Sequence, residues 1–211
     1  VVPADATTLS ISELHYHPAP PNADEIAAGF TDEAMFEWVE LYNHSESATL
    51  DLGDVMFSNG IEFVIPSGIL LAPGERLVVP ANATAFAYRY GDLPEGRRLS
   101  ESFLIGDGSN RFSNAGERVT MLSATNTPIA DFTYGDNRPW PVSSDGDGYS
   151  LTLMRAGDND PAVAQSWRSS ATIGGTPGSD DAIPLAEWMA TNGINGIADL
   201  QSDDDGDGKV A

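Results

Sequence analysis

Short runs of alternating apolar and polar residues recur along this chain, separated by clusters of Gly, Pro, Asn and Asp. Alternation with a period of two puts successive side chains on opposite faces of a strand. In residues 8–16, Leu9, Ile11 and Leu14 sit among Ser10, Ser12 and Glu13, and Pro18, Pro20 and Pro21 end the run. Residues 36–42 divide into Phe36, Trp38, Glu40 and Tyr42 on one face and Glu37, Val39 and Leu41 on the other. Further strands are predicted at 61–65, 76–79, 102–105, 118–122, 129–134 and 149–154. Pro73-Gly74 and Asn114-Ala115-Gly116 supply turns before two of them. Residues 19–34 read as a polar connection, and 83–90 as a short helix after Asn82. Many short strands with a single helical pattern predict an all-β sandwich.

The composition shifts near Thr176-Pro177-Gly178-Ser179, which predicts a sandwich over 1–178 and a separate tail over 179–211. In the tail, residues 183–192 read as a helix with Leu185, Trp188 and Met189 on one face, ended by Asn192-Gly193. An acidic loop follows. Asp203, Asp205 and Asp207 fill positions 1, 3 and 5 of an EF-hand-type loop, Gly208 fills position 6, and Lys209 offers its backbone carbonyl at position 7. A hard cation needs several oxygens around one point, so calcium is the expected ligand. The sequence stops at position 9 of that pattern, before its closing carboxylate, so the expectation is a fragment or processed form of a longer protein.

Composition narrows the functional classes. With 32 acidic against 10 basic residues, the net charge is −22. That charge repels phosphate backbones and anionic membranes, so nucleic-acid binding and membrane insertion are not expected. It also suits solubility in a salty medium. The absence of cysteine excludes disulfide frameworks, thiolate metal sites and cysteine nucleophiles. No apolar run approaches a bilayer span, and the start lacks a signal-peptide pattern, as a mature end would after signal removal. No nucleophile elbow, Gly-x-x-x-x-Gly-Lys loop or His-Glu-x-x-His motif is present.

Four further groups merit attention. Asp145 and Asp147, with Asp136, Asp158 and Asp160 nearby in sequence, form a second candidate calcium site between loops; a plain Asp/Gly turn is the competing reading. Glu13, Glu37 and Glu40 offer a carboxylate pair for acid/base hydrolysis, although alternation places Glu13 and Glu37 at solvent-facing positions. His15 and His17 share a strand face, as two zinc ligands would, with packing as the simpler role. Trp140, between Pro139 and Pro141, is a candidate ligand contact or a loop staple.

The order of segments carries a resemblance. Ile11-Ser12-Glu13-Leu14-His15-Tyr16-His17-Pro18 precedes Phe36-Glu37-Trp38-Val39-Glu40-Leu41-Tyr42-Asn43, then Leu71-Ala72-Pro73-Gly74-Glu75 and Asn114-Ala115-Gly116-Glu117. Asp131-Phe132-Thr133-Tyr134-Gly135-Asp136, Pro139-Trp140-Pro141, Ser166-Trp167-Arg168 and Gly175-Thr176-Pro177-Gly178 complete the set. Together they resemble the bacterial lamin-tail domain family over residues 8–178, with Ser12 where the family's start has Asn. The acidic tail resembles dockerin-like or thrombospondin-type-3-like calcium loops. The resemblance implies an immunoglobulin-like β-sandwich with a short helical, acidic tail, and no organic cofactor. It also implies a non-catalytic module of a secreted or cell-surface bacterial protein. Its expected partners are other domains of the parent protein, an extracellular protein or glycan, or further copies in self-assembly. The alternative is a glycosidase or nuclease built on the three glutamates, or an accessory domain of such an enzyme.

Overall fold

The computed structural model describes residues 1–104, 106 and 108–182. The chain divides into two units, a short one over Asp181–Ala211 and a large one over Val1–Asp180. Its strands are β1 (Val2–Pro3), β2 (Leu9–His15), β3 (Trp38–Asn43), β4 (Leu50–Asp51), β5 (Met56–Asn59) and β6 (Phe63–Val64). They continue as β7 (Leu70–Leu71), β8 (Arg76–Pro80), β9 (Arg118–Leu122), β10 (Pro128–Thr133), β11 (Leu151–Leu153) and β12 (Trp167–Ser169). Two short α-helices interrupt them, α1 (Ala23–Ala27) and α2 (Ala83–Tyr90).

A five-stranded sheet runs β12-β11-β2-β3-β8, a four-stranded sheet β10-β9-β5-β6, and a small sheet β1-β4-β7. Ile11, Leu14, Val39 and Leu41 from the first join Phe57, Val119, Met121 and Phe132 from the second in one continuous core, with Leu50 and Leu71 from the third. The chain is therefore an all-β sandwich, as its alternating runs predict, and of the immunoglobulin-like type that the resemblance implies.

The β2 pattern explains itself here. Leu9 and Ile11 point inward at odd positions, but Leu14 and Tyr16 point inward at even ones. A register shift between Ile11 and Glu13 against β3 makes the change. A bulge of this kind adds one residue and reverses the parity downstream. Without it, Glu13 would enter the apolar core.

The outer face of the five-stranded sheet is also covered. Trp38, Val78 and Phe86 form a second buried cluster, with Tyr90 and Leu93 packed against it. Helix α2 forms where expected because the Asn82 side chain accepts from the backbone N–H groups of Thr84 and Ala85.

Several elements differ from expectation. Residues 102–104 form no strand: Phe103 and Leu104 donate backbone bonds to Pro80 and Ala81, and Asn110 donates to the Phe103 carbonyl. Single bonds of this kind satisfy the backbone without a ladder. Residues 19–34 hold α1, closed by a capping box between Asn22 and Glu25. That Asn-x-x-Glu spacing is visible in the sequence, but five residues carry no helical apolar period. β4, β5, β7 and β12 are too short to show alternation.

Deletion of Ser12 should remove the parity switch, drive Glu13 inward and Leu14 outward, and abolish the cooperative thermal transition in circular dichroism. A deletion variant that melts like the parent would mean the bulge does not set the register.

Candidate functional site

Strands β2 and β3 place Glu13 directly opposite Glu40. Both are buried, at 1% and 0% exposure. Two carboxylates facing each other across a ladder repel, and burial removes their water, so both need donors. The Glu13 carboxylate accepts from Ser150 Oγ, from the Thr176 backbone N–H (3.0 Å) and from Thr176 Oγ1 (3.0 Å). The Glu40 carboxylate accepts from Ser12 Oγ (2.6 Å), Arg76 Nη1 (2.8 Å) and the Gly178 N–H (2.7 Å). Burial still pushes the Glu40 carboxyl above its ordinary range, against the pull of Arg76.

These bonds tie residues 175–178 across the outer face of the sheet. The close approach needs Gly175, whose φ is +76°. A Cβ there would lie 2.5 Å from Glu13 Oε1 and 2.7 Å from Trp38 Cζ2.

Glu37, just before β3, is 1% exposed and accepts from the Phe112 N–H at 2.9 Å. Burial raises its carboxyl well above the ordinary value. The expectation that Glu13 and Glu37 face solvent is thus corrected. Alternation reports which side of a strand a residue takes, and it is silent on whether a helix or a returning segment covers that side. The three glutamates the sequence offers for hydrolysis each accept internal hydrogen bonds that hold a loop.

The two histidines separate. His15 is buried, its ring set edge-on to Trp38 and Tyr90. Burial, with Arg89 and His17 nearby, lowers its pKa to about 3, so the ring is neutral. His17 Nδ1 lies 2.6 Å from Asp145 Oδ1, and Nε2 lies 3.4 Å from Glu33 Oε1.

The loop aspartates have different neighbours. Asp145 faces His17; Asp136 accepts from the Asn137 amide at 2.6 Å; Asp160 accepts from the Ala162 N–H; Asp147 and Asp158 are exposed. Among the described residues, no three His, Asp or Glu side chains form a group able to hold a metal ion. Trp140 packs partly buried against the core, 6.2 Å from the Trp167 ring, and with Pro139, Pro141 and Val142 lines a shallow surface hollow. Asp203, Asp205, Asp207 and Lys209 lie outside the described residues, as does the expected tail helix.

One constellation escaped the sequence. Arg89 on α2 meets Glu25 on α1 through Nε–Oε1 and Nη2–Oε2 bonds of 2.7 Å each, and its Nη1 reaches the Ala19 carbonyl at 2.9 Å. Its guanidinium also lies 3.3 Å from the centre of the Phe36 ring. This fork holds the Glu25 carboxyl below its ordinary range. The partners are 64 residues apart, a pairing only the fold reveals.

An all-β sandwich whose buried acids tie down its own loops defines the class: an immunoglobulin-like domain. The lamin tail domain model matches residues 3–136, and the chain belongs to that family. No curated protein and no solved structure matches the chain. Strands β11 and β12 and the 175–178 segment lie past the matched residues, yet they complete the five-stranded sheet. No helix among the described residues is long and apolar enough to cross a membrane.

Two predictions follow from the buried acids. The native state keeps a proton on Glu37 above 4.5, where the unfolded chain has released it. The stability this group supplies is full below that value and is lost as pH rises through the native pKa. Glu37→Gln, which keeps an acceptor for Phe112, should therefore flatten the fall in melting temperature from about pH 5 to about pH 8; identical slopes in both proteins would show that Glu37 titrates normally. Gly175→Ala should destabilise by roughly 1–3 kcal/mol in urea unfolding, through overpacking at a positive φ. A variant within about 0.5 kcal/mol of the parent would mean the strap relaxes freely.

Proposed function

We propose that this chain is a non-catalytic structural and binding module of a secreted or cell-surface bacterial protein. The sandwich contacts other domains of that protein, or an extracellular protein or glycan, and the acidic tail binds calcium. The observation that carries the non-catalytic reading is the state of the carboxylates. Glu13 and Glu40 are buried and hydrogen-bonded to the chain's own donors, with Glu37 likewise held by Phe112. A glycosidase needs two carboxylates facing a substrate across an open cleft. The calcium reading is supported by the Asp203, Asp205, Asp207 and Gly208 spacing, and the net charge of −22 fits a calcium-rich, saline exterior.

Calorimetric titration of the full chain with calcium should give saturable binding that Asp203→Asn, Asp205→Asn and Asp207→Asn together abolish. Binding that survives those changes would move the site to the loops bearing Asp136, Asp145, Asp147, Asp158 and Asp160. No binding by the parent would make the acidic tail a solvated segment. Incubation with glycosides and with duplex DNA should yield no product. Turnover lost in Glu13→Gln or Glu40→Gln would overturn the non-catalytic reading.

A further inference from the structure

A cavity of about 540 Å³ opens beside the outer face of the five-stranded sheet, between the α1 segment, α2 and residues 173–174. Its size falls within the ~300–1,000 Å³ of small-molecule sites. His15 lines it. This side chain is 1% exposed, and its Nδ1 has no hydrogen-bond partner. A buried polar atom without a partner costs about 1–3 kcal/mol, so it calls for an explanation. The ring is neutral, so the nitrogen it presents acts as a donor or an acceptor and brings no charge to the site.

The other lining groups sort by what they still have to offer. Arg89 has none of the pull of a free cation, since Glu25, the Ala19 carbonyl and the Phe36 ring engage its guanidinium. The Arg89–Glu25 pair is thus internally neutral. Asn22 uses Oδ1 to cap α1, which leaves its amide donors. Tyr88 is 51% exposed and is backed by Phe30 at 5.3 Å between ring centres, a fixed aromatic platform. Ile173, 67% exposed, supplies an apolar surface on the strap side.

We propose that this cavity binds a neutral saccharide residue, its C–H face on Tyr88 and its hydroxyls within reach of His15, Asn22 and Asp24. The chemistry of the lining selects the class. A pyranose has an apolar face for an aromatic ring and hydroxyls that both donate and accept, which matches a neutral imidazole, an amide and a carboxylate. Anionic sugars and nucleotides meet the exposed Asp24 carboxylate and a chain of charge −22, with no free cation in the pocket to receive them. An ammonium group is the competing ligand, because Asp24 and Tyr88 together suit a cation. The inference deepens the reading of the chain as a binding module and rests on it.

The test is a ¹H–¹⁵N NMR titration of the full chain with cellobiose, maltose and N,N′-diacetylchitobiose, each to about 50 mM, a range that detects weak affinities. Glucuronic acid and n-butylammonium serve as charged probes. At least one neutral disaccharide should cause saturable shifts around His15, Tyr88, Ile173 and Gly174, and glucuronic acid should not. Tyr88→Ala should weaken binding about tenfold, or ~1.4 kcal/mol, with unchanged amide shifts away from the cavity as the check that the variant folds. Ile173→Asp should weaken it from the opposite wall. No saturable shift with any of the three sugars, a response to butylammonium alone, or equal affinity in Tyr88→Ala would each overturn the proposal. One-dimensional ¹H spectra of the same samples separate this failure from failure of the broader reading. Absence of binding removes only the saccharide site, whereas new reducing-end signals from a cleaved disaccharide would remove the non-catalytic assignment.

Discussion

The sandwich depends on two glutamates that face each other on adjacent strands with no access to water. Glu13 and Glu40 sit directly opposite across β2 and β3, a position where like charges repel and desolvation penalises ionisation. The fold answers by bringing donors to them. Ser12 comes from the bulge, Arg76 from β8, Ser150 from the approach to β11, and Thr176 and Gly178 from the segment after β12. Elements from both ends of the domain thus converge on one point of the sheet. Removing either carboxylate would leave several buried donors without acceptors, which is costlier than losing one contact.

That arrangement makes the outer face of the five-stranded sheet a second interior. Trp38 and Phe86 pack there, α2 covers them, and the Arg89–Glu25 fork holds α1 beside α2. The strap that Glu13 and Glu40 secure carries Ile173 and Gly174 just upstream, and these residues line the cavity next to His15. The geometry of that opening is therefore set by the same buried acids that close the domain.

The family model stops at residue 136, short of the strands and strap that complete this sheet. The strap's Gly175-Thr176-Pro177-Gly178 motif nevertheless has a physical reason. Gly175 admits the chain against Trp38 at a backbone angle that disfavours side chains, and Thr176 and Gly178 deliver the donors.

The all-β class, the helix after Asn82 and the strand over 36–42 were legible in the sequence, because strand and helix periods and caps are local properties. The inward turn of Leu14 and Tyr16 was visible only as an irregularity, since a bulge is defined by its partner strand. The short β4, β5, β7 and β12 were silent because two to four residues cannot display a period. Glu13 and Glu37 were misplaced toward solvent for a different reason. Burial depends on what returns to cover a strand, and here Thr176 comes to Glu13 and Phe112 comes to Glu37 from far along the chain. The same holds for Arg89 and Glu25, and for the orphaned His15 nitrogen. The sequence by itself determined which residues could alternate, cap and turn; the tertiary structure alone decided which polar groups lost their water, because that depends on contacts between segments from 64 to 163 residues apart.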